Sequence, residues 1–295
     1  LVVCDDGSTD NTRILLEEFA AESPFPVSLH FNEHNLGSIK NFEKAINLTT
    51  SDVIALSDQD DVWHRDKLRL IEETFLKAPQ AGLVFSDAEI VDVDLSPLGR
   101  RMWDEVSFDA HKKKLVRLGR AIDVLITGWT VTGATMAFRS QFVKLALPVP
   151  EDIAMIHDGW IALAVGSVSD VAIIEQPLIK YRQHEQQQIG APMRAPAETS
   201  GKLQGFEKAF RRRNPSADLH NTLATLEERL TAHKSTFDTR NALSFIANYS
   251  LHLNVRANLP QRRLNRVPSI LRELLTLRYH EYANGFKSAA KDLVS

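Results

Sequence analysis

Three carboxylates fall within four residues at Asp58-Gln59-Asp60-Asp61, directly behind the apolar run Val53-Ile54-Ala55-Leu56 and ahead of an amphipathic helix beginning near Asp66. Crowded at a strand's end without a counterion, they repel one another and raise each other's pKa. A divalent cation carrying a polyphosphate is their natural partner. Hard cations such as Mg²⁺ or Mn²⁺ take oxygen ligands. In nucleotide sites one or two carboxylates are enough, because phosphate oxygens and water complete the shell. The bland alternative is a solvated loop in which Asp61 caps the next helix.

Other polar clusters have the same character. Asp5-Asp6-Gly7-Ser8-Thr9-Asp10 ends the apolar run Leu1 to Cys4; it reads either as an Asx turn with a helix cap or as a carboxylate that receives a base N–H or a ribose hydroxyl. His157-Asp158-Gly159-Trp160 follows a proline loop and opens a helix. Asp158, shielded by Trp160, is either a cap or a base of raised pKa that takes a proton from a hydroxyl nucleophile. Tyr181-Arg182-Gln183-His184 leaves the last strand with groups suited to diphosphate oxygens or a metal shell, or simply to an ordinary polar strand end. No Ser-His-Asp spacing, Cys/His zinc cluster, GxxxxGK[ST] loop or GxGxxG turn is present.

These groups need elements to position them. Strand runs at Leu1–Cys4, Val27–Phe31 and Val53–Leu56 alternate with helices to about Ala21, from Ser38 to about Leu48, and from Asp66 to about Lys77. Repeated βα units predict an α/β fold with a mostly parallel sheet and helices on both faces, with ligands beyond the carboxyl ends of the strands. A strand over 82–91 continues the pattern; residues 96–120 read as irregular and charged. A helix is expected around 121–126, a strand over 134–138, a helix to about Val165, and final strands at 171–174 and 178–181. Residues 191–200 read as a linker. Beyond it only helices are expected, over 219–233, 241–253 and 269–279.

The composition, 43% apolar and 25% charged over 295 residues, is that of an ordinary globular chain. The overall charge of −3 conceals a division. Residues 1–199 hold 19 Lys and Arg against 30 Asp and Glu, a net of −11, whereas residues 200–295 hold 16 against 8, a net of +8. The basic C-terminal third, with Arg211-Arg212-Arg213 and Arg262-Arg263, suits anionic lipid, an anionic acceptor, the acidic first segment or simply solvent. The single cysteine, Cys4, lies in an apolar strand and reads as a structural thiol. With no long apolar run and no leader pattern, the chain reads as cytoplasmic.

Taken in order, Asp5-Asp6-Gly7-Ser8-Thr9-Asp10-Asn11-Thr12, Asn35-Leu36-Gly37, Asp58-Gln59-Asp60-Asp61-Val62-Trp63, His157-Asp158 and Tyr181-Arg182-Gln183-His184 resemble the family 2 glycosyltransferases of GT-A fold, in particular bacterial rhamnosyltransferases. The resemblance covers residues 1 to about 190 and leaves 201–295 as a basic helical region. It implies a metal-dependent, inverting transfer of a sugar, rhamnose being a candidate, from a nucleoside-diphosphate donor to a glycan or lipid-linked acceptor. Asp6 would meet the nucleobase, Asp58 the ribose, Asp60 the Mg²⁺ or Mn²⁺ ion, and Asp158 would be the base. Thr132 and Gly133 would line the acceptor side, with Asp61, Asp87, Trp160 and Arg182 as further substrate contacts and His184 as a second metal ligand. Peripheral contact with the cytoplasmic face of the inner membrane through the basic region is expected; a nucleic-acid partner is not.

Two departures from the family pattern stand out. The family usually has a further strand and helix ahead of the position of Leu1, so the chain reads as truncated. Many relatives also carry an aromatic residue in place of Gly159, which implies a wider acceptor pocket or a looser base. The competing readings are a catalytically silent binding module and a Mg²⁺-dependent nucleotidyltransferase; the latter lacks the Gly-rich basic loop that holds a triphosphate.

Overall fold

The computed structural model describes residues 1–128, 130–153, 155–184 and 215–294. It divides into two compact units, Leu1–Phe210 and Arg211–Ser295. The expected linker at 191–200, the Arg211–Arg213 block and the start of the basic region lie outside the described residues.

The first unit opens with β1 (Val2–Asp5), α1 (Thr12–Glu22) and β2 (Ser28–Phe31). β1 and β2 pair in parallel from Val2↔Ser28 to Asp5↔Phe31, the expected βαβ crossover. Carboxylates turn the chain between them: the Ser8 N–H donates to Asp5 Oδ2 (3.1 Å) and the Thr12 N–H to Asp10 Oδ1 (3.0 Å). Cys4 is a half-buried free thiol.

Next come α2 (Ser38–Asn47), β3 (Val53–Ala55), β4 (Val62–Trp63), α3 (Lys67–Lys77), β5 (Ala81–Val91) and β6 (Pro97–Arg101). Short helices α4 (Met102–Glu105) and α5 (Ala110–Arg117) occupy the stretch read as irregular, and α6 (Ala121–Leu125) is the helix expected around 121–126. They are followed by β7 (Met136–Arg139), α7 (Val143–Ala146), α8 (His157–Gly166) and β8 (Asp170–Arg182). The larger sheet has the order β3-β7-β5-β8-β4, with β6 also on β5. The loop bearing Asp58, Asp60 and Asp61 therefore joins its two outermost strands, β3 and β4.

The expectation of a mostly parallel sheet is corrected to a mixed one. Among the described residues only β1–β2 and β5–β8 run parallel, whereas β3–β7, β5–β7, β5–β6 and β4–β8 are antiparallel. A strand covered on both faces has the same apolar pattern in either direction, so connection length decides. The short Asp92–Ser96 turn, whose Asp92 Oδ1 accepts from Asp94 and Ser96 N–H, permits only an antiparallel β6. β8 is one 13-residue strand rather than two, with register shifts against β5 between Ala81 and Glu89.

β5 is the centre of the core, with Leu83, Val84, Phe85, Ala88, Ile90 and Val91 all buried. Ile71 and Phe75 of α3 pack on one face with Val84 and Ala137. Every residue of α8 is buried, as expected of a helix that is apolar nearly all round.

The second unit is helical where described: α9 (Pro215–Ala232), α10 (Arg240–Ala257), α11 (Arg263–Leu275), α12 (Arg278–Tyr282) and α13 (Phe286–Val294). The helix expected over 269–279 instead starts at Arg263, carries Pro268 within it, and stops where Leu277 takes a left-handed conformation (φ 60°). Among the described residues no helix is long and apolar enough to cross a membrane.

Candidate active site

The acid loop is bolted to β8. The Arg182 N–H donates to Asp61 Oδ1 (3.0 Å), and its guanidinium donates to the carbonyls of Asp60 (2.8 Å) and Val93 (2.6 Å). His184 Nε2 lies 2.9 Å from Asp60 Oδ2. Arg182, expected at the diphosphate, thus spends these donors on the backbone of the acid loop and of the Asp92–Ser96 turn.

Asp158 approaches this loop from a separate element. It stands in the first turn of α8, 8% exposed, and accepts the N–H of Gly133 (2.9 Å) and of its neighbour Gly159 (2.6 Å). Gly133 opens a tight turn, Gly133–Thr135, in which the Thr132 carbonyl accepts from the backbone and hydroxyl of Thr135. Burial pushes Asp158 up to about 6 despite those two donors. Asp58 is likewise pushed up to about 6, first by burial and then by Asp158 and Asp60. Asp61 rises to about 7, through burial and then Asp58 and Asp60, against the pull of the Arg182 N–H. Asp58, Asp60, Asp61 and Asp158 therefore belong to one electrostatic cluster.

One member is a cation that sequence reasoning missed. Lys67, fully buried at the start of α3, donates to the Ala134 carbonyl (2.5 Å) and lies 3.5 Å from the centre of the Trp63 ring. Burial pushes it down to about 7, opposed by the charges of Asp61 and Asp58. The spacing Lys67, Ile71, Phe75 placed it on the buried face of α3, and that was the available signal. Tyr181 is a second such neighbour: burial, then Asp61, Asp58, Asp60 and Asp158, raise its phenol. His157 stacks on Phe42 (4.1 Å, 17°); burial lowers it to about 4, and its Nδ1 has no hydrogen-bond partner among the described residues.

Other expected site residues have local partners of their own. Asp6 accepts from Leu36 N–H (2.7 Å), Gly37 N–H (2.9 Å) and Asn32 Nδ2 (2.7 Å), so its carboxylate shapes the Asn35-Leu36-Gly37 turn. Asp87 accepts the N–H of Ala88 (2.8 Å) and of Trp103 (3.0 Å) and so anchors the start of α4. Trp160 is core: it is fully buried, and its indole donates to the Ala146 carbonyl (2.8 Å). Gly159 opens no wider pocket here, because a Cβ at that position would lie 2.5 Å from the Gly128 carbonyl oxygen.

The oxygen-rich loop also fits a divalent cation in one respect. Asp61 Oδ2 is buried without a hydrogen-bond partner among the described residues, a vacancy in bonding that a hard cation or a donor hydroxyl would fill. Among the described residues no three His, Cys, Asp or Glu side chains converge into a metal-binding group. A shell completed by the ligand's own oxygens is what such a loop could support.

Residues 1–138 match the family model described as Glycosyl transferase family 2. Nearly half of the chain is therefore similar to the family 2 glycosyltransferases. An uncharacterized glycosyltransferase of Nostoc sp. is 27% identical over 188 residues, covering 62% of this chain and 55% of that protein. The dTDP-rhamnosyl transferase RfbG of Shigella flexneri is 26% identical over 202 residues, covering 65% of each. The chain thus spans between half and two thirds of these relatives' length. Among solved structures, S. aureus TarS 1-349 in complex with UDP-GlcNAc aligns over 98% of this chain and 81% of that one, at 12% identity and a TM-score of 0.48. The relation to bacterial rhamnosyl transferases is distant, and the family match lies wholly within the unit that holds the acid cluster.

Proposed function

We propose that this chain transfers a sugar from a nucleoside-diphosphate donor to a hydroxyl of a glycan or lipid-linked acceptor, with inversion at the anomeric carbon. The observation that carries the reading is that Asp158, one hundred residues from Asp58 in sequence, lies close enough for its charge to help raise Asp58. A buried carboxylate with its pKa raised toward neutrality is a competent base, and Asp158 takes the proton from the acceptor hydroxyl as it attacks. The two backbone N–H groups on Asp158 hold it in place during that transfer. The acid loop faces the diphosphate, with Asp60 and His184 as the groups that would hold Mg²⁺ or Mn²⁺. The ion's chemistry there is to neutralise charge on the departing diphosphate. Rhamnose as the sugar is supported by the likeness to RfbG.

The test is calorimetric titration of the chain with UDP, dTDP and GDP, each with and without Mn²⁺, beside Asp60→Ala. Metal-dependent binding of one nucleotide, lost in the variant, is the expected result. Binding that is indifferent to both metal and Asp60 would remove the acid loop from the donor site.

A further inference from the structure

The second unit carries apolar side chains on the outward side of a helix. α11 already buries Ile270 and Glu273 and packs Leu274 against the unit's small core. Yet Leu264, Leu271 and Leu275 stand 85%, 51% and 84% exposed. Spacings of seven and four residues put them on one line of a 3.6-residue helix, on the side away from Ile270 and Glu273, and Pro268 falls on the same line. Single exposed leucines are ordinary on any protein surface; three on one outward ridge call for an occupant.

The charges around the ridge say what that occupant is. Arg263 and Arg272 fall on either side of it and Arg262 precedes it. All three are exposed, and their side chains make no hydrogen bond or ion pair among the described residues. Other arginines of the unit are tied down: Arg256 to Asp292, Arg266 to the carbonyls of Pro260 and Asp292, and Arg278 to Glu273. The one carboxylate of α11, Glu273, is buried against His252 and Arg278, so the helix itself offers its outer face no acid.

We propose that the outer face of α11 lies on an anionic lipid surface, with Leu264, Leu271 and Leu275 at the acyl boundary and Arg262, Arg263 and Arg272 among the phosphate headgroups. A second copy of the chain is the poorer occupant, because a symmetric pairing of this face would bring like charges together. The inference is independent of the glycosyl-transfer reading, since nucleotide binding is measured separately and in the absence of lipid.

Flotation of the full chain with phosphatidylcholine vesicles, with and without added phosphatidylglycerol, tests it. The chain should float with the anionic vesicles and be released by salt. Replacing the three leucines (Leu264→Ser, Leu271→Ser, Leu275→Ser) or the three arginines (Arg262→Gln, Arg263→Gln, Arg272→Gln) should each lower partitioning at least about tenfold with no change in Tm, because all six side chains are exposed. Leu264→Trp provides a second measurement in an apolar-for-apolar exchange: its emission should shift to the blue on anionic vesicles. Three results overturn the proposal: a leucine variant that floats like the parent, an indole at 264 whose emission does not move, or a light-scattering dimer abolished by the leucine variant in a chain that ignores vesicles. The last would assign the ridge to a second copy.

Discussion

Lys67 and Asp158 illustrate how this site handles charge. Each is buried, each is held by backbone groups, and the two are linked through one short turn: Asp158 accepts from Gly133, and Lys67 donates to Ala134. Lys67 thus places an amine beside the acid loop, charged below about pH 7, and the Trp63 face and the Ala134 carbonyl keep that group from swinging toward solvent. Asp158 is available as a base only when ionised. With its carboxyl at about 6, turnover should climb as the pH rises through that value and level off above it. Asp158→Asn keeps the side chain's shape but removes the basic oxygen. Its kcat is expected to fall by about 10²–10⁴-fold while nucleotide affinity, measured by calorimetry, stays near that of the parent. A variant that lost binding and turnover together would instead make Asp158 part of the donor site.

At the scale of elements, the site depends on where α8 begins. That helix is apolar on every side, so the core fixes its axis, and its first turn is pressed against the backbone of Gly128. Neither partner in that contact is a side chain that can rotate away. Gly159→Ala would thrust a methyl group to 2.5 Å from a carbonyl oxygen and lever the first turn, with Asp158 on it, off its place. The expected cost is about 1–3 kcal/mol in denaturant unfolding, with a fall in turnover. An unchanged midpoint would mean that the α8–Gly128 contact is looser than its geometry implies. The acid loop has a different kind of support. It is strung between β3 and β4 and tied down by Arg182 from β8, so its shape is set by the sheet's strand order.

For the whole molecule, the buried acids make stability depend on pH in an unusual sense. Asp58 and Asp158 at about 6, Asp61 at about 7, and Asp87, also raised by burial, hold protons in the native state that the unfolded chain releases. His157 at about 4 and His252, lowered by burial, act the other way, since the unfolded chain protonates them more readily. Lys67, lowered to about 7 from 10.5, is charged in both states at acid pH and begins to lose its native proton as the pH rises through about 7, from where stability rises with pH. Four carboxylates outweigh two imidazoles between about pH 7 and pH 5, so the native state binds more protons there and stability rises as the pH falls. Without divalent ions, Tm should be higher at about pH 5 than at about pH 7 by differential scanning calorimetry. A Tm that dropped over this interval would contradict a buried acid cluster.

What the sequence by itself determined was the order and type of the main elements in the first unit and the family to which its motifs point. Apolar periodicity, turn residues and the recurrence of acids at strand ends are local signals, and local signals survive in one dimension. The helical character of the second unit was legible for the same reason. Only the tertiary structure decided strand direction in the larger sheet, because a doubly covered strand such as β5 looks alike either way. The fate of each carboxylate was decided at the same level. Asp6 and Asp158 read as strand-end or helix-start acids and Asp87 as an acid on a strand, yet Asp6 and Asp87 accept from neighbouring backbone, and Asp158 enters the cluster with Asp58. Lys67 and the buried indole of Trp160 were opaque in sequence for a common physical reason. Whether a polar atom serves a ligand or a backbone carbonyl depends on which carbonyl the fold carries to within 3 Å of it, and residues distant in sequence decide that.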